Sequence, residues 1–213
     1  MYNIRNNTVA STNNPAANAA TKIGPYITDN DGNIIYTYIT TFKNDYLNTV
    51  TDLAIATTTI HESIHSMLFF LKQNGYLNSI SENSSYEELM EAFCNLLITS
   101  GYNPFTPITG TPQHDIMFHL IGNIADSLKQ YGVSKGYNLP DSYYNAMAWG
   151  GLTTTDAFNE LYRDSNGNLN SDGEYIYGTI WAEEHNSPAQ YSDGSPVLHL
   201  GHQIIPLSPK CQN

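Results

Sequence analysis

The longest unbroken helical periodicity in this chain runs from about Asn48 or Thr51 to Gln73, and it constrains the fold more than any other segment. Ile60, Ile64, Met67, Leu68 and Leu71 recur at the spacing of one helix face, which predicts a buried helix ended by Asn74 and Gly75. Within it lies "TTTIHESIHSML", residues 57–68, with two histidines four positions apart and a glutamate after the first. Residues i and i+4 of a helix differ by about 40° around its axis, so His61 and His65 stand one above the other and can share one ion. Zinc accepts imidazole nitrogens, and Glu62 beside them suits the general base for a water activated at the same centre. Seven histidines and nine glutamates among 213 residues give only about 0.01 chance occurrences of H-E-x-x-H, so composition alone explains the motif poorly.

Further elements surround this helix. Beta-branched and aromatic runs on both sides of Asp29-Asn30-Asp31-Gly32 predict a β-hairpin over about 24–42. The acidic turn lacks the closing carboxylate of a twelve-residue calcium loop. Ser85 with Glu88 has the form of a capping box opening a second helix, which carries Leu89, Met90, Phe93, Cys94 and Leu97. A third helix is expected from an N-cap at Thr111 and Pro112 to Gly132, with Met117, Ile121, Ile124 and Leu128 facing inward. Shorter helical patterns follow at about 142–149, 154–163 and 174–184, and "SPVLHLGHQIIPL" contains a candidate edge strand. Residues 1–21, rich in Asn, Ala and Thr without periodicity, read as a flexible arm, leaving 22–213 as a single domain.

A metal site on His61 and His65 needs a third ligand. Glu91 is one candidate, in "EELMEAFCN", a helix similar to the one that supplies a glutamate in thermolysin-type enzymes. His114 is the other: it continues the inward stripe three residues before Met117, at a helix start where the neutral, metal-binding imidazole is favoured. His199 and His202, in strand-like surroundings, project to opposite faces more easily than to one ion.

Charge bounds the partners. Eight Lys plus Arg against twenty Asp plus Glu give a net charge of −12 with no basic cluster, which argues against nucleic-acid binding. No window is apolar enough for a membrane span. A surface rich in neutral polar residues, with only 13% of residues charged, favours an exported or cell-surface protein whose leader lies outside this sequence. Cys94 and Cys211 are too few for a disulfide framework, and Cys94 reads as a buried thiol.

In order and content, "YITTFKNDYLNTVTDLAIATTTIHESIHSML", "HDIMFHLIGNIADSLKQYG" and "YYNAMAWGGLTTTDAFNEL" resemble the SprT-like zinc metallopeptidases common in Bacteroidetes. The similarity covers roughly residues 33–163. It implies an α+β, mostly helical zincin-like domain with an N-terminal β-hairpin edge along an HExxH active-site helix. It further implies His61, His65 and His114 as zinc ligands and Glu62 as catalytic base, with Glu91 the alternative third ligand, and an extended polypeptide substrate held by strand addition to "NIIYTYITTF". Tyr143, Tyr144 and His119 are candidates for assisting at the oxyanion. The competing reading is a non-catalytic surface binding module whose zinc is structural, motivated by the neutral polar surface and the many tyrosines.

Overall fold

The computed structural model describes residues 2–9, 18–77, 84–101 and 112–203. The architecture is α+β with helix predominating. A sheet opens the chain: β1 (Tyr2–Val9), β2 (Ala19–Ile23), β3 (Ile27–Thr28) and β4 (Ile34–Lys43). The hairpin expected around Asp29–Gly32 is present, β3 pairing antiparallel with the start of β4. Its turn is closed by Asp29, whose Oδ1 accepts from the backbone N–H groups of Asp31 and Asn33 at 2.9 and 2.8 Å, and by Gly32 at φ 82°, a left-handed conformation that glycine adopts without strain.

Beyond that turn the sheet differs from expectation. The strand order is β1-β4-β2, with β1 parallel to β4 and β2 antiparallel to it. The segment "NIIYTYITTF", read as an edge for a peptide, therefore has partners on both sides over Tyr38–Phe42. Among the described residues the edge strand on that side is β2. Two strands, β1 and most of β2, come from the stretch 1–21 that reads as an arm.

Among the described residues seven helices follow: α1 (Asn44–Thr49), α2 (Asp52–Gln73), α3 (Tyr86–Thr99), α4 (Pro112–Ser134), α5 (Asp141–Ala148), α6 (Asp156–Tyr162) and α7 (Ser171–His185). Short strands β5 (Ala189–Gln190) and β6 (Pro196–Val197) pair near the end. Helix α2 begins where expected because the Thr51 hydroxyl accepts from Ala54 N–H, satisfying one of the donors that a helix start leaves open. The capping box is also present: Glu88 N–H donates to Ser85 Oγ, and Ser85 N–H to the Glu88 carboxylate. The expected cap at Thr111 and the second cysteine, Cys211, lie outside the described residues.

The main core joins the inward faces of α2 to α7. Leu53, Leu68, Leu89, Met117, Leu128, Met147, Trp149, Leu152 and Phe158 are almost fully buried, and Ile60, Ile64, Met67 and Leu71 pack against them. Each large apolar side chain so buried contributes roughly 1.5–3 kcal/mol relative to exposure. Cys94 lies in this core as a free thiol, its pKa pushed up to about 12 chiefly by burial. A second, small core of Ala19, Phe42, Tyr46, Val50 and Ala54 ties the sheet to the first turn of α2. No helix among the described residues is long and apolar enough to cross a membrane.

The N-terminus of α2 is fixed by a polar network. Glu183 of α7, fully buried, accepts from the hydroxyls of Thr51 and Tyr143 and from the backbone N–H groups of Leu200 and Gly201 at 2.7 and 2.9 Å. Asp52 accepts from Tyr137 OH at 2.6 Å and from His202 N–H at 3.0 Å. The segment 198–203 thus straps the start of α2 to α7 and α5.

A candidate metal centre

The middle of α2 carries the cluster. One ligand atom from each of His61, Glu62 and His65 lies within 4.8 Å of the others, and no other group of three or more potential ligands occurs among the described residues. The two imidazoles stand with ring centroids 5.0 Å apart, as their i, i+4 spacing requires. His65 stacks on Phe69 one turn on, at 5.9 Å.

The turn after α5 orients His61. Gly150 C=O lies 3.3 Å from His61 Nδ1, a contact that orients the ring through that nitrogen. Gly151, at φ 76°, passes so close that a Cβ there would sit 2.6 Å from His61 Nδ1. Glycine is required here for both reasons, since a side chain would meet the ring and strain the backbone.

Burial sets the protonation states. It holds the His61 pKa down at about 4, partly offset by the Gly150 carbonyl and the charge of Glu87. It holds that of His65 down at about 3, with help from His61. Both rings are therefore neutral at pH 7, the state in which imidazole binds metal. Burial also raises the Glu62 carboxyl pKa, against the opposing hydrogen bond of Thr21. Glu62 is 5% exposed, and its Oε2 has no hydrogen-bond partner among the described residues. Two neutral imidazoles beside a carboxylate with an unspent oxygen form a donor set suited to a divalent cation such as zinc.

A cleft of about 190 Å³ opens onto His61 and Glu62 of the cluster, lined also by Asn18, Ala19, Thr57, Thr58, Gly150, Gly151 and Glu184. Strand β2 borders it: Thr21 donates to the Glu62 backbone carbonyl at 3.3 Å and bonds Thr40 of β4 at 2.8 Å.

The candidates for a third ligand separate. Glu91 is turned to another task, accepting from Asp156 N–H at 3.2 Å at the start of α6, and it is outside the cluster. His114 lies in the first turn of α4, a helix packed against α2 and α3, and its side chain is outside the described residues. His199 and His202 are elsewhere, His202 stacking on Tyr137 with centroids 4.7 Å apart. Of the oxyanion candidates, Tyr143 is committed to Glu183 and Tyr144 is buried against Gly132, so neither lines the cleft. His119 is half-buried beside Phe118 and is also absent from the lining.

Three contributors escape a reading of the sequence. The Gly150-Gly151 pair reads there only as a separator between helices. Glu87 influences His61 electrostatically and is held by Thr154 Oγ1 at 2.8 Å. Glu184 reaches the cleft from α7, more than a hundred residues away in the chain. A glycine pair inside an otherwise apolar run was the only available signal for any of them. No protein-family model, curated protein or solved structure matches this chain.

Proposed function

We propose that this chain is a zincin-like, zinc-dependent metallopeptidase of the SprT-like kind, acting on polypeptide. The observation that carries the reading is that His61 and Glu62 line the cleft beside the β2 edge, with a ligand atom of His65 within 4.8 Å of theirs. His61 and His65 would hold the ion as neutral imidazoles, with His114 as the third ligand from α4. Zinc, when bound, supplies Lewis-acid polarisation of a carbonyl and lowers the pKa of water.

The chain's own residues carry the remaining steps. The edge of β2, outermost among the described residues, binds an extended peptide by main-chain hydrogen bonds in place of β4. Glu62 Oε2 takes a proton from the attacking water as oxygen bonds to the scissile carbonyl carbon. The same oxygen returns the proton to the departing amine as the C–N bond breaks. Burial aids this, because by raising the carboxyl pKa it makes Glu62 a stronger base toward the water. The Gly150 carbonyl holds His61 in register throughout.

Purified protein should carry about one zinc per chain, as a mononuclear site of this type requires. His61→Ala should lose the zinc, and Glu62→Gln should keep it while abolishing cleavage of an unstructured polypeptide. Zinc retained in full by His61→Ala would overturn the metal assignment. A zinc-loaded wild type that cleaves nothing in a diverse peptide library would overturn the peptidase reading and favour a structural zinc.

A further inference from the structure

Helix α7 places two adjacent glutamates in opposite roles. Glu183 is consumed by four donors that hold the start of α2. Glu184, one position on, lines the same cleft as His61 and Glu62. Its carboxylate is half-buried and has neither a hydrogen-bond partner nor an ion pair among the described residues. Burial raises its pKa, only partly countered by His185 on the next position of the helix. The other groups lining the cleft are Asn18, two threonines, two glycines and Ala19 beside the metal cluster, and no lysine or arginine is among them.

A desolvated carboxylate without a counter-charge is costly to keep, and a fold meets that cost where a ligand supplies the missing charge. We infer that Glu184 is a specificity residue that receives a cationic group of the substrate next to the scissile bond, an ammonium or guanidinium. This rests on the peptidase reading of the same cleft.

Three observations favour a cation over the alternatives. No lysine or arginine in the lining offsets the Glu184 carboxylate, so an anionic substrate group placed beside it would meet repulsion. The whole chain carries −12, which draws cations toward it and raises their encounter rate. The pocket is small, about 190 Å³, and Ala19, two glycines, two threonines and Asn18 make up the rest of its lining, so a slender chain that ends in a cation fits it better than a bulky aromatic side chain. The cation has two sources, a lysine or arginine side chain or the free α-amine of a peptide's first residue, and both offer the same charge to Glu184.

Amino-acid hydroxamates, which chelate zinc and need no turnover, separate these sources. The probes are lysine hydroxamate with its α-amine free, Nα-acetyl-lysine hydroxamate, norleucine hydroxamate with its α-amine free, and Nα-acetyl-norleucine hydroxamate. Calorimetric titration of the zinc-loaded full chain should show lysine hydroxamate, and one of the two singly charged probes, binding at least about tenfold tighter than Nα-acetyl-norleucine hydroxamate, the scale of one charge-assisted hydrogen bond. Tight binding of Nα-acetyl-lysine hydroxamate assigns the side chain as the source, and of norleucine hydroxamate the α-amine. Glu184→Gln should erase the preference with zinc content unchanged, and Glu184→Lys should invert it toward a glutamate hydroxamate. Equal affinities for all probes in the wild type, or a preference that survives Glu184→Gln, would overturn the inference and leave the metal site standing. A wild type that binds neither zinc nor hydroxamate would overturn the peptidase reading and this inference with it.

Discussion

At the scale of single residues, the site depends on a position with no side chain. Gly151 lies against His61, and its φ of 76° is one that other residues adopt only at a cost of about 1–2 kcal/mol. Gly151→Ala therefore acts twice, once on the backbone and once on the imidazole it displaces. Gly167, at φ 83° with open space around its Cα, isolates the first effect. Both alanine variants should lose about 1–2 kcal/mol of stability in urea titrations, but on the proposed zinc reading only Gly151→Ala should also lose zinc affinity, by roughly 10- to 100-fold as is typical when the support of a ligand is disturbed. Equal zinc affinity in the two variants would show that the glycine is needed for the chain's path alone. The sequence makes His61, Glu62 and His65 legible because their relation is local, fixed by helix pitch. Gly151 and Glu184 come to His61 through long-range packing, which no spacing encodes.

At the scale of elements, the helix that bears the site is anchored at its first residue. Thr51 caps α2 through its hydroxyl oxygen and donates the same hydroxyl's proton to Glu183. Thr51→Ala removes the cap and leaves one lone pair of a buried carboxylate unmet, a combined loss of about 2–3 kcal/mol. Thr51→Ser keeps both bonds and should cost less than about 1 kcal/mol, the loss of one buried methyl. Chemical denaturation of the two variants checks this, and equal midpoints would remove the Thr51–Glu183 contact from any role in stability. The boundaries of α2 and α3 were readable because caps are local chemistry. Helix α7 was expected only from residue 174, yet it begins at Ser171, where Asn170 Oδ1 accepts from Gly173 N–H at 2.9 Å. The Ser-Asp-Gly run looks like a turn, and packing of Gly173 against the Tyr162 carbonyl decides otherwise. Strands β1 and β2 were missed for a different reason. Their Asn-, Thr- and Ala-rich residues show no apolar alternation, and it is the register along β4 that makes them strands.

At the scale of the whole molecule, α+β class, helix order and the grouping of His61, Glu62 and His65 follow from the sequence, while the order of the strands and the closure of the cleft follow only from the packed chain. That packing half-buries two histidines whose partner, in the proposed reading, is a metal, and the metal-free protein should register the cost through pH. An unfolded imidazole titrates near 6.5, whereas burial holds His61 near 4 and His65 near 3. Above pH 6.5 neither state binds a proton, and the two histidines leave stability unchanged. As pH falls below 6.5 the unfolded chain takes up protons that the folded chain refuses, so stability falls, by up to about 1.4 kcal/mol per pH unit for each histidine, until the folded-state values are passed. Glu62 and Glu184 act in the opposite sense, since their raised folded-state values let the folded chain take up protons first on acidification. Comparison with His65→Gln cancels that opposing contribution, because both carboxyls remain. Between pH 7.5 and 5 the metal-free wild type should therefore lose melting temperature more steeply than metal-free His65→Gln. Identical slopes would mean that the His65 ring is not buried in its neutral form, and the donor set described for zinc would lose one of its two imidazoles.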